Sequence, residues 1–502
     1  MNRKLLFTLI AFLLMFLLLE TAARIIESAL ARKATSADIQ PGWQAEFFKS
    51  FFDWHEPDPD LLWRFKPNLD NPLIKTNAEH FLGNEIPAGK EPKSYRILLL
   101  GDSSPVGLGL KSRRQAFGEI LRSFLETEYA GTRSIELINA AVSGYSSEQI
   151  ARFLKLRGWK YQPDLVTLYC GNNDASISGA FSDRQLMSEQ KLIPIRKLFS
   201  HLAFYRLLRD LLTGREHQAN SVQALQIRVD ADRYGENLTD IANQCRSHNC
   251  PLLILKPPVP RLWPAGLQFK PLTHVTGDNG RLIFPEEMIS LLGRNLKYCL
   301  DRERFLHLYG RGDILTQNVY LASYDDSLAP VDAVRHYRRQ LETGKGNPVL
   351  LNNLGVSFWQ SREYDSADYY LKESRRQYQK VHSEDLSPAV LSAGSPFLFN
   401  IGINLLSQTP DKLDAGSSQD AFIYLDSALQ ADYFSLRIKR DYWRKIDSFV
   451  GRKGVTVIDL PVIFEKNGGE KLFIDHCHPT PQGHLLIANA LLKAVNQATL
   501  IK

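Results

Sequence analysis

The chain of 502 residues has few cysteines and only a small excess of basic over acidic side chains, and each of these features argues against a class of protein. Its 61 basic and 55 acidic side chains are interspersed, so no basic patch emerges and a nucleic-acid partner is not expected. The cysteines fit no disulfide-dense scaffold, and an odd number of them leaves at least one unpaired within the chain. Two of the cysteines bracket a predicted helix-to-strand turn, where they are either joined in a local disulfide or present as two free thiols. The five are Cys170, Cys245, Cys250, Cys299 and Cys477, of which Cys245 and Cys250 are the bracketing pair.

Long apolar runs are scarce, and the most prominent lies at the N-terminus. Two basic residues precede Leu5 to Leu19, in which Thr8 is the only polar side chain. At 1.5 Å per residue this run covers about 22 Å, and apolar residues beyond Glu20 extend it toward the roughly 30 Å core of a bilayer. We therefore predict an uncleaved signal anchor and juxtamembrane helix over residues 1–33, with the body of the chain translocated. A cleaved signal peptide and secretion are the alternative, although Thr21-Ala22-Ala23 is a mediocre cleavage site.

A serine and a distant histidine have the sequence context of a nucleophile and its base. Ser103 follows a short apolar strand on a Gly-Asp-Ser turn, and His478 has a carboxylate, Asp475, three residues before it. A serine hydroxyl is a poor nucleophile at neutral pH unless a base removes its proton, and that base needs a third group to orient it. These three residues predict a catalytic triad.

Two further blocks follow predicted parallel strands. Gly144 comes after the strand from Ser134 to Ile138, and Asn173 comes after the strand from Asp164 to Cys170. Ligands of open α/β sheets usually bind at this carboxyl edge. The N–H groups of Gly144 and Ser103, with the side-chain amide of Asn173, are therefore candidates for an oxyanion hole. Taken singly, the glycines and Asn173 are also ordinary turn residues, and Asp102 an ordinary helix N-cap.

Four blocks in this order resemble the SGNH, or GDSL-type, hydrolases. They are Gly101-Asp102-Ser103, Gly144 in Ser-Gly-Tyr-Ser, Gly171-Asn172-Asn173-Asp174, and Asp475-x-x-His478. The resemblance covers residues 95–258 and 455–502, and it implies a three-layer α/β sandwich with a five-stranded parallel sheet. The hydrolase domain would comprise residues 95–260 and 451–502. About two hundred extra residues separate the last two blocks, which departs from a compact family member.

A proline-rich stretch before the first block, residues 34–94, predicts an extended collar packed by Trp54, Trp63 and Phe65. A similar Pro-Asp-x-x-x-Trp-x-x-x-Pro-Asn pattern precedes the Gly-Asp-Ser strand in membrane-anchored bacterial members of the family. The resemblance thus extends weakly back to Pro57, and it implies a bacterial inner-membrane protein facing the periplasm.

The acidic and histidine residues near the C-terminus also look like a metal cluster. No Cys-x-x-Cys or His-x-x-x-His pair accompanies them, however, and the prolines that follow read as a loop entering a helix. We therefore expect neither a metal nor a cofactor, with His484 a surface or packing residue and Asp174 a structural hydrogen-bond acceptor. The cluster consists of Asp475, His476, Cys477, His478 and His484.

The extra residues, 261–450, predict an all-α insertion. Apolar and small residues recur at the offsets of tetratricopeptide helix pairs over 351–371 and again over 398–428. We expect flanking helices within 325–342 and 432–450, since two repeats are few for such a stack. Ordinary antiparallel helices are the alternative.

These features predict a serine esterase that acts on O-acyl groups, with O-acetyl the first choice, of a cell-envelope or exported polysaccharide. The substrate class follows from the expected compartment and from family analogy. One alternative is an O-acyltransferase that uses the same residues. Another is a non-catalytic scaffold whose repeats bind a protein partner.

Overall fold

The computed structural model describes most of the chain between residues 54 and 501. The described residues are 20–21, 24, 54–70, 74–87, 89–179, 182–189, 226–262, 275–276, 282–283, 328–343, 348–381, 383, 388–408, 419–433, 436–474, 476–498 and 500–501. The predicted signal anchor at Leu5 to Leu19 and Cys299 lie outside them. No helix within these ranges combines the length and apolar character needed to cross a membrane.

Strands and helices, numbered here along the chain, alternate in the first half of the described residues. The second half is mainly helical. The strands are β1 His55–Asp58, β2 Leu62–Phe65, β3 Ser94–Gly101, β4 Ser134–Asn139, β5 Leu165–Tyr169, β6 Ile177–Gly179, β7 Gln226–Ile227, β8 Leu252–Lys256, β9 Val275–Thr276, β10 Leu282–Ile283 and β11 Val455–Asp459. The helices are α1 Ser103–Val106, α2 Phe117–Glu128, α3 Ser147–Leu156, α4 Asp183–Glu189, α5 Ala231–Ser247, α6 Pro330–Thr343, α7 Pro348–Gln360, α8 Tyr364–Val381, α9 Pro388–Gln408, α10 Gln419–Ala431, α11 Arg440–Asp447, α12 Leu460–Lys466 and α13 Pro481–Gln497.

Five strands form one parallel sheet in the order β11-β8-β5-β3-β4. Strands β3, β5 and β8 are buried at every position, as expected for near-continuous apolar runs in a sheet covered on both faces. Each strand after β3 adds beside a strand that precedes it in the chain, as is usual in parallel sheets. The five-stranded parallel sheet predicted from the sequence is confirmed.

Alternate side chains of the central strands enter two separate cores. Leu98 and Leu100 of β3 pack with α3, α5 and α11 on one face, whereas Ile97 and Leu99 pack with α2, α12 and α13 on the other. A period of two along a strand produces this division. The architecture is thus a three-layer sandwich.

The collar is a β-hairpin followed by loops that pack on the first of these cores. Strands β1 and β2 pair antiparallel, and Phe65 is fully buried in that core. Asp58 at the end of β1 accepts two hydrogen bonds from Arg157, at 2.7 and 2.9 Å, while its Oδ1 also accepts from the backbone of residues 60 and 61. These contacts attach the collar to the sheet domain.

Helices α6 to α10 share a third apolar core, centred on residues such as Leu354, Leu371 and Leu425. Gly355 of α7 lies against Leu371 of α8, and Gly402 of α9 lies against Leu425 of α10. A Cβ on either glycine would come within 2.7 Å of the leucine Cγ. In both helix pairs a glycine of the first helix therefore packs against a leucine of the second, which is the feature that the repeat pattern predicts. Their tetratricopeptide character remains a prediction.

Helix α11 packs with the sheet domain rather than with α6 to α10, which corrects the predicted insertion boundary at residue 450. Tyr442, Ile446 and Phe449 are buried in the core shared by α3 and α5. Lys256 at the end of β8 also forms an ion pair with Asp447 at 2.8 Å. The sequence placed α11 with the helical insertion because its amphipathic pattern does not reveal which core receives its apolar face.

Candidate active site

The Gly-Asp-Ser turn places Ser103 at the carboxyl end of β3. A Cβ on Gly101 would lie 2.5 Å from the carbonyl oxygen of Tyr169 on β5, so this close approach of chains requires glycine. Asp102 caps the one-turn helix α1, its Oδ1 accepting a hydrogen bond from Ser104 N at 2.9 Å. Ser103 is 9% exposed, which leaves its hydroxyl at the edge of the buried core.

The loop before α13 brings His478 to this serine. His478 Nε2 lies 2.8 Å from Ser103 Oγ, although the two residues are 375 positions apart in the chain. The loop is closed on itself, since Ile474 N donates to the His478 carbonyl at 2.8 Å and Phe473 pairs with Pro479. Asp475 lies outside the described residues, so its predicted role in orienting His478 stays a prediction.

Gly144 forms the turn that follows β4. Tyr145 N donates to Val142 O at 3.1 Å, and Gly144 has φ +80°. A positive φ at the third residue of a four-residue turn is the mark of type II, in which glycine is favoured. The turn thus presents its backbone at the same edge of the sheet as Ser103.

Asn173 follows β5 and is held against this turn. Its Nδ2 donates to the Tyr145 carbonyl at 3.0 Å, which occupies one of its two amide hydrogens. The side chain is 2% exposed. Gly171, with φ +128°, lets the chain turn sharply after β5, and its Cα faces Ile438. The structure therefore links the second and third blocks through one hydrogen bond.

Burial controls the charges around the site. It raises the pKa of Asp102 to about 6 and that of Asp174 to about 7. Asp174 Oδ1 accepts from Ser147 N at 2.9 Å, which agrees with the structural role predicted for it. Burial lowers the pKa of His484 to about 3, so that ring is neutral at physiological pH.

The two other histidines of the sequence that resembled a metal cluster, His476 and His484, are buried side chains. His484 is fully buried in α13, where its Nδ1 accepts from Phe117 N at 3.2 Å and its ring stacks on that phenylalanine. It is a packing residue, not a surface one. His476 is also buried, with its ring 5.7 Å from that of His478. Within the described part of the chain, no group of three or more His, Cys, Asp or Glu side chains could hold a metal ion.

Cys245 and Cys250 are both buried free thiols in the structure. Of the two alternatives left open by the sequence, the structure has two thiols and not a local disulfide.

Two long-range contacts with the site residues were not apparent from the sequence. Trp63 of the collar donates its indole N–H to the Ser143 carbonyl at 3.0 Å. Ile438, in the segment that returns from the helical region, donates its backbone N–H to Asn172 Oδ1 at 3.1 Å. The sequence marked Trp63 only as the tryptophan of the collar pattern, without indicating its partner Ser143. No comparable pattern marks Ile438.

Comparison with known proteins supports the assignment suggested by the blocks. The family model for GDSL-like lipases and acylhydrolases matches residues 97–274. Among solved structures, the psychrotrophic esterase EstA of Pseudoalteromonas sp. matches at 19% identity over 33% of this chain and 61% of that one, with a TM-score of 0.20. The acetylxylan esterase Axe2 of Geobacillus stearothermophilus matches at 14% identity over 33% of this chain and 60% of its own length, with a TM-score of 0.20.

This chain thus spans about three fifths of the length of each of those two esterases. No curated protein matches it. TM-scores this low do not define a relationship by themselves, so the assignment rests on the blocks and the family model.

The fold and the placement of the blocks define an α/β hydrolase-type domain with a Ser–His pair at the carboxyl edge of a parallel sheet. In the order of its four blocks the chain is similar to the GDSL-like lipases and acylhydrolases, the SGNH hydrolases, whose family model matches it over residues 97–274 of 502.

Proposed function

We propose that the protein is a serine ester hydrolase in which Ser103 is the nucleophile and His478 the general base. His478 Nε2 takes the Ser103 proton as Oγ attacks the ester carbonyl, and the same nitrogen then protonates the leaving alcohol. A water molecule, deprotonated by His478, cleaves the acyl-enzyme and releases the acid. Asp475 would stabilise the imidazolium, an assignment that rests on its spacing from His478.

The oxyanion of each tetrahedral intermediate would be held by the N–H groups of Ser103 and Gly144 and by the second amide hydrogen of Asn173. Donors fixed in advance around a water-poor site stabilise such a charge strongly, and loss of one typically lowers kcat about 10²- to 10³-fold. The observation that carries the proposal is the distance of 2.8 Å between His478 Nε2 and Ser103 Oγ.

The proposed substrate is an O-acyl, with O-acetyl favoured, ester of a cell-envelope or exported polysaccharide. This choice is supported by the N-terminal apolar run from Leu5 to Leu19, which favours an inner-membrane anchor and a periplasmic domain. The helical region is a candidate for contact with the polymer or with a protein partner. A protein that is released from membranes by high salt, or that starts near Arg24, would contradict the anchor.

Acetate release from O-acetylated polysaccharide by the full chain tests the proposal, with Ser103→Ala as the control. Free acetate in the wild type, absent in the variant, would support hydrolysis. Acetyl groups recovered on an added acceptor glycan instead of in solution would identify an acyltransferase. No acyl transfer to either, from a folded protein, would leave only a scaffold function.

A further inference from the structure

Trp63, the tryptophan of the collar pattern, contacts the Gly144 turn in three ways. Its indole Nε1 donates to Ser143 O at 3.0 Å, and its own carbonyl accepts from the Tyr145 hydroxyl at 2.7 Å. Its ring covers Gly144, where an added Cβ would lie 3.2 Å from Trp63 Cζ2. The tryptophan therefore contacts each of the turn residues 143–145.

The first contact determines the direction of the Gly144 N–H. Because a peptide unit is planar and trans, the Ser143 carbonyl and the Gly144 N–H point in opposite directions. Type I and type II turns differ mainly by rotation of this central peptide, and the φ of +80° at Gly144 belongs to type II. An indole N–H that holds Ser143 O on the collar side thus holds the Gly144 N–H on the opposite side.

The same turn also orients Asn173. Its Nδ2 donates one hydrogen to Tyr145 O at 3.0 Å. Since the amide group is planar, this bond fixes the direction of its other hydrogen. Movement of residues 143–145 would therefore displace two proposed oxyanion donors together.

Trp63 is itself held by the hairpin and by a charged neighbour. It pairs with Pro57 of β1, and Asp58 next in line is bonded to Arg157. The Arg228 guanidinium lies 5.7 Å from the centre of the indole ring and is fixed by an ion pair with Asp183 at 2.7 Å. A side chain restrained on both sides is suited to positioning another group.

We propose that Trp63 is a positioning residue for the oxyanion hole, acting through the Ser143–Gly144 peptide. It does not touch the reacting atoms. The collar pattern then has a function: it delivers an indole N–H from outside the sheet domain to the turn that carries the second block. This inference rests on the esterase function proposed above.

Trp63→Phe in the full chain tests it, because phenylalanine keeps an aromatic ring against Gly144 but has no N–H. With a small activated acetyl ester, kcat is expected to fall about 10- to 100-fold, less than or similar to the loss of a whole donor. KM should stay within about threefold, and the midpoint of the pH–kcat/KM profile should not move, because His478 is untouched.

Trp159→Phe is the matched control. Its indole N–H is bonded to Gln244 Oε1 at 3.1 Å, so the variant loses one indole hydrogen bond at a partly buried site without a contact to the turn. Its kcat should remain within about twofold of wild type. As a second measurement, hydrogen–deuterium exchange in Trp63→Phe should quicken in peptides covering residues 143–146 and not in those covering β5.

A Trp63→Phe enzyme with wild-type kcat, a change in KM alone, or an equal loss in Trp159→Phe would overturn the inference. Failure of Trp63→Phe to fold would also overturn it, since a positioning role expects the ring alone to sustain the fold. These results apply only if the wild type hydrolyses the ester. An inactive wild type would instead refute the proposed function itself.

Discussion

Substitution of Gly171 by alanine tests how closely the third block is packed. An added Cβ would lie 2.4 Å from Ile438 Cδ1 and 3.1 Å from Ile438 Cγ1, and the residue has φ +128°. Backbone strain of this kind costs about 1–3 kcal/mol. Overpacking adds about 1–3 kcal/mol. We therefore expect Gly171→Ala to lower the free energy of unfolding by about 2–6 kcal/mol.

Gly131→Ala provides a comparison in which backbone strain occurs without a clash. Gly131 has φ +79°, and nothing lies within 4 Å of its added Cβ, so alanine there meets strain alone. We expect a loss of about 1–2 kcal/mol at this position. The excess loss in Gly171→Ala then combines the clash with Ile438 and the greater strain at φ +128°.

The double variant Gly171→Ala/Ile438→Val provides a further check, since valine lacks the Cδ1 atom that lies closest. Ile438→Val alone should cost about 0.5–1.5 kcal/mol. The double variant should be more stable than the sum of the single effects by at least about 1 kcal/mol. Urea unfolding of the full chain in mild detergent, followed by tryptophan fluorescence, gives these values. Equal losses in Gly131→Ala and Gly171→Ala, or strict additivity, would refute the reasoning.

Two further predictions concern the buried carboxylate and the helical insertion. The pKa of Asp174 is raised to about 7 in the folded state from an ordinary value near 4, so the folded state binds the extra proton and stability falls as pH rises between those values. Asp174→Asn should remove this pH dependence, so the free energy of unfolding of the variant, relative to that of wild type, should be higher at pH 8 than at pH 4. Urea titrations of both proteins at each pH measure it, and the same difference at both pH values would contradict the prediction. Replacing residues 271–427 with a Gly/Ser linker should preserve hydrolysis of a small activated ester but abolish it on acetylated polymer or end partner binding, and an unchanged rate on the polymer would exclude a role in access. This deletion retains Leu429 and Asp432 because their carbonyl oxygens accept hydrogen bonds from the buried Lys439, and the Asp432 carboxylate pairs with the buried Arg437 at 3.0 Å.

The strands of the sheet were predictable because each is an apolar run that ends at a glycine or polar block. The predicted strand at Ser134 to Ile138 differs by one residue from the observed β4, and the predicted strand at Asp164 to Cys170 extends one residue beyond each end of β5. Burial on both faces produces the continuous apolar pattern from which such strands can be recognised. The blocks at their ends then indicated which side chains would meet.

Contacts that join distant parts of the chain were not predictable in the same way. Trp63 and Ser143 are 80 residues apart, and Ile438 and Asn172 are 266 apart. Neither pair has a local periodicity that specifies the partner. Helix α11 illustrates the same limit, because its amphipathic sequence marks an apolar face but not the core that receives it.

The most direct test of the central claim is the rate of hydrolysis of a small activated acetyl ester by the full chain and three variants. Ser103→Ala and His478→Ala should each remove nearly all activity, and Asn173→Ala should lower kcat about 10²- to 10³-fold, with all three proteins folded by circular dichroism. Burst release of the alcohol in the wild type would report the acyl-enzyme. Full activity in a folded Ser103→Ala protein would contradict the account, because the hydroxyl 2.8 Å from His478 Nε2 would then not be the nucleophile.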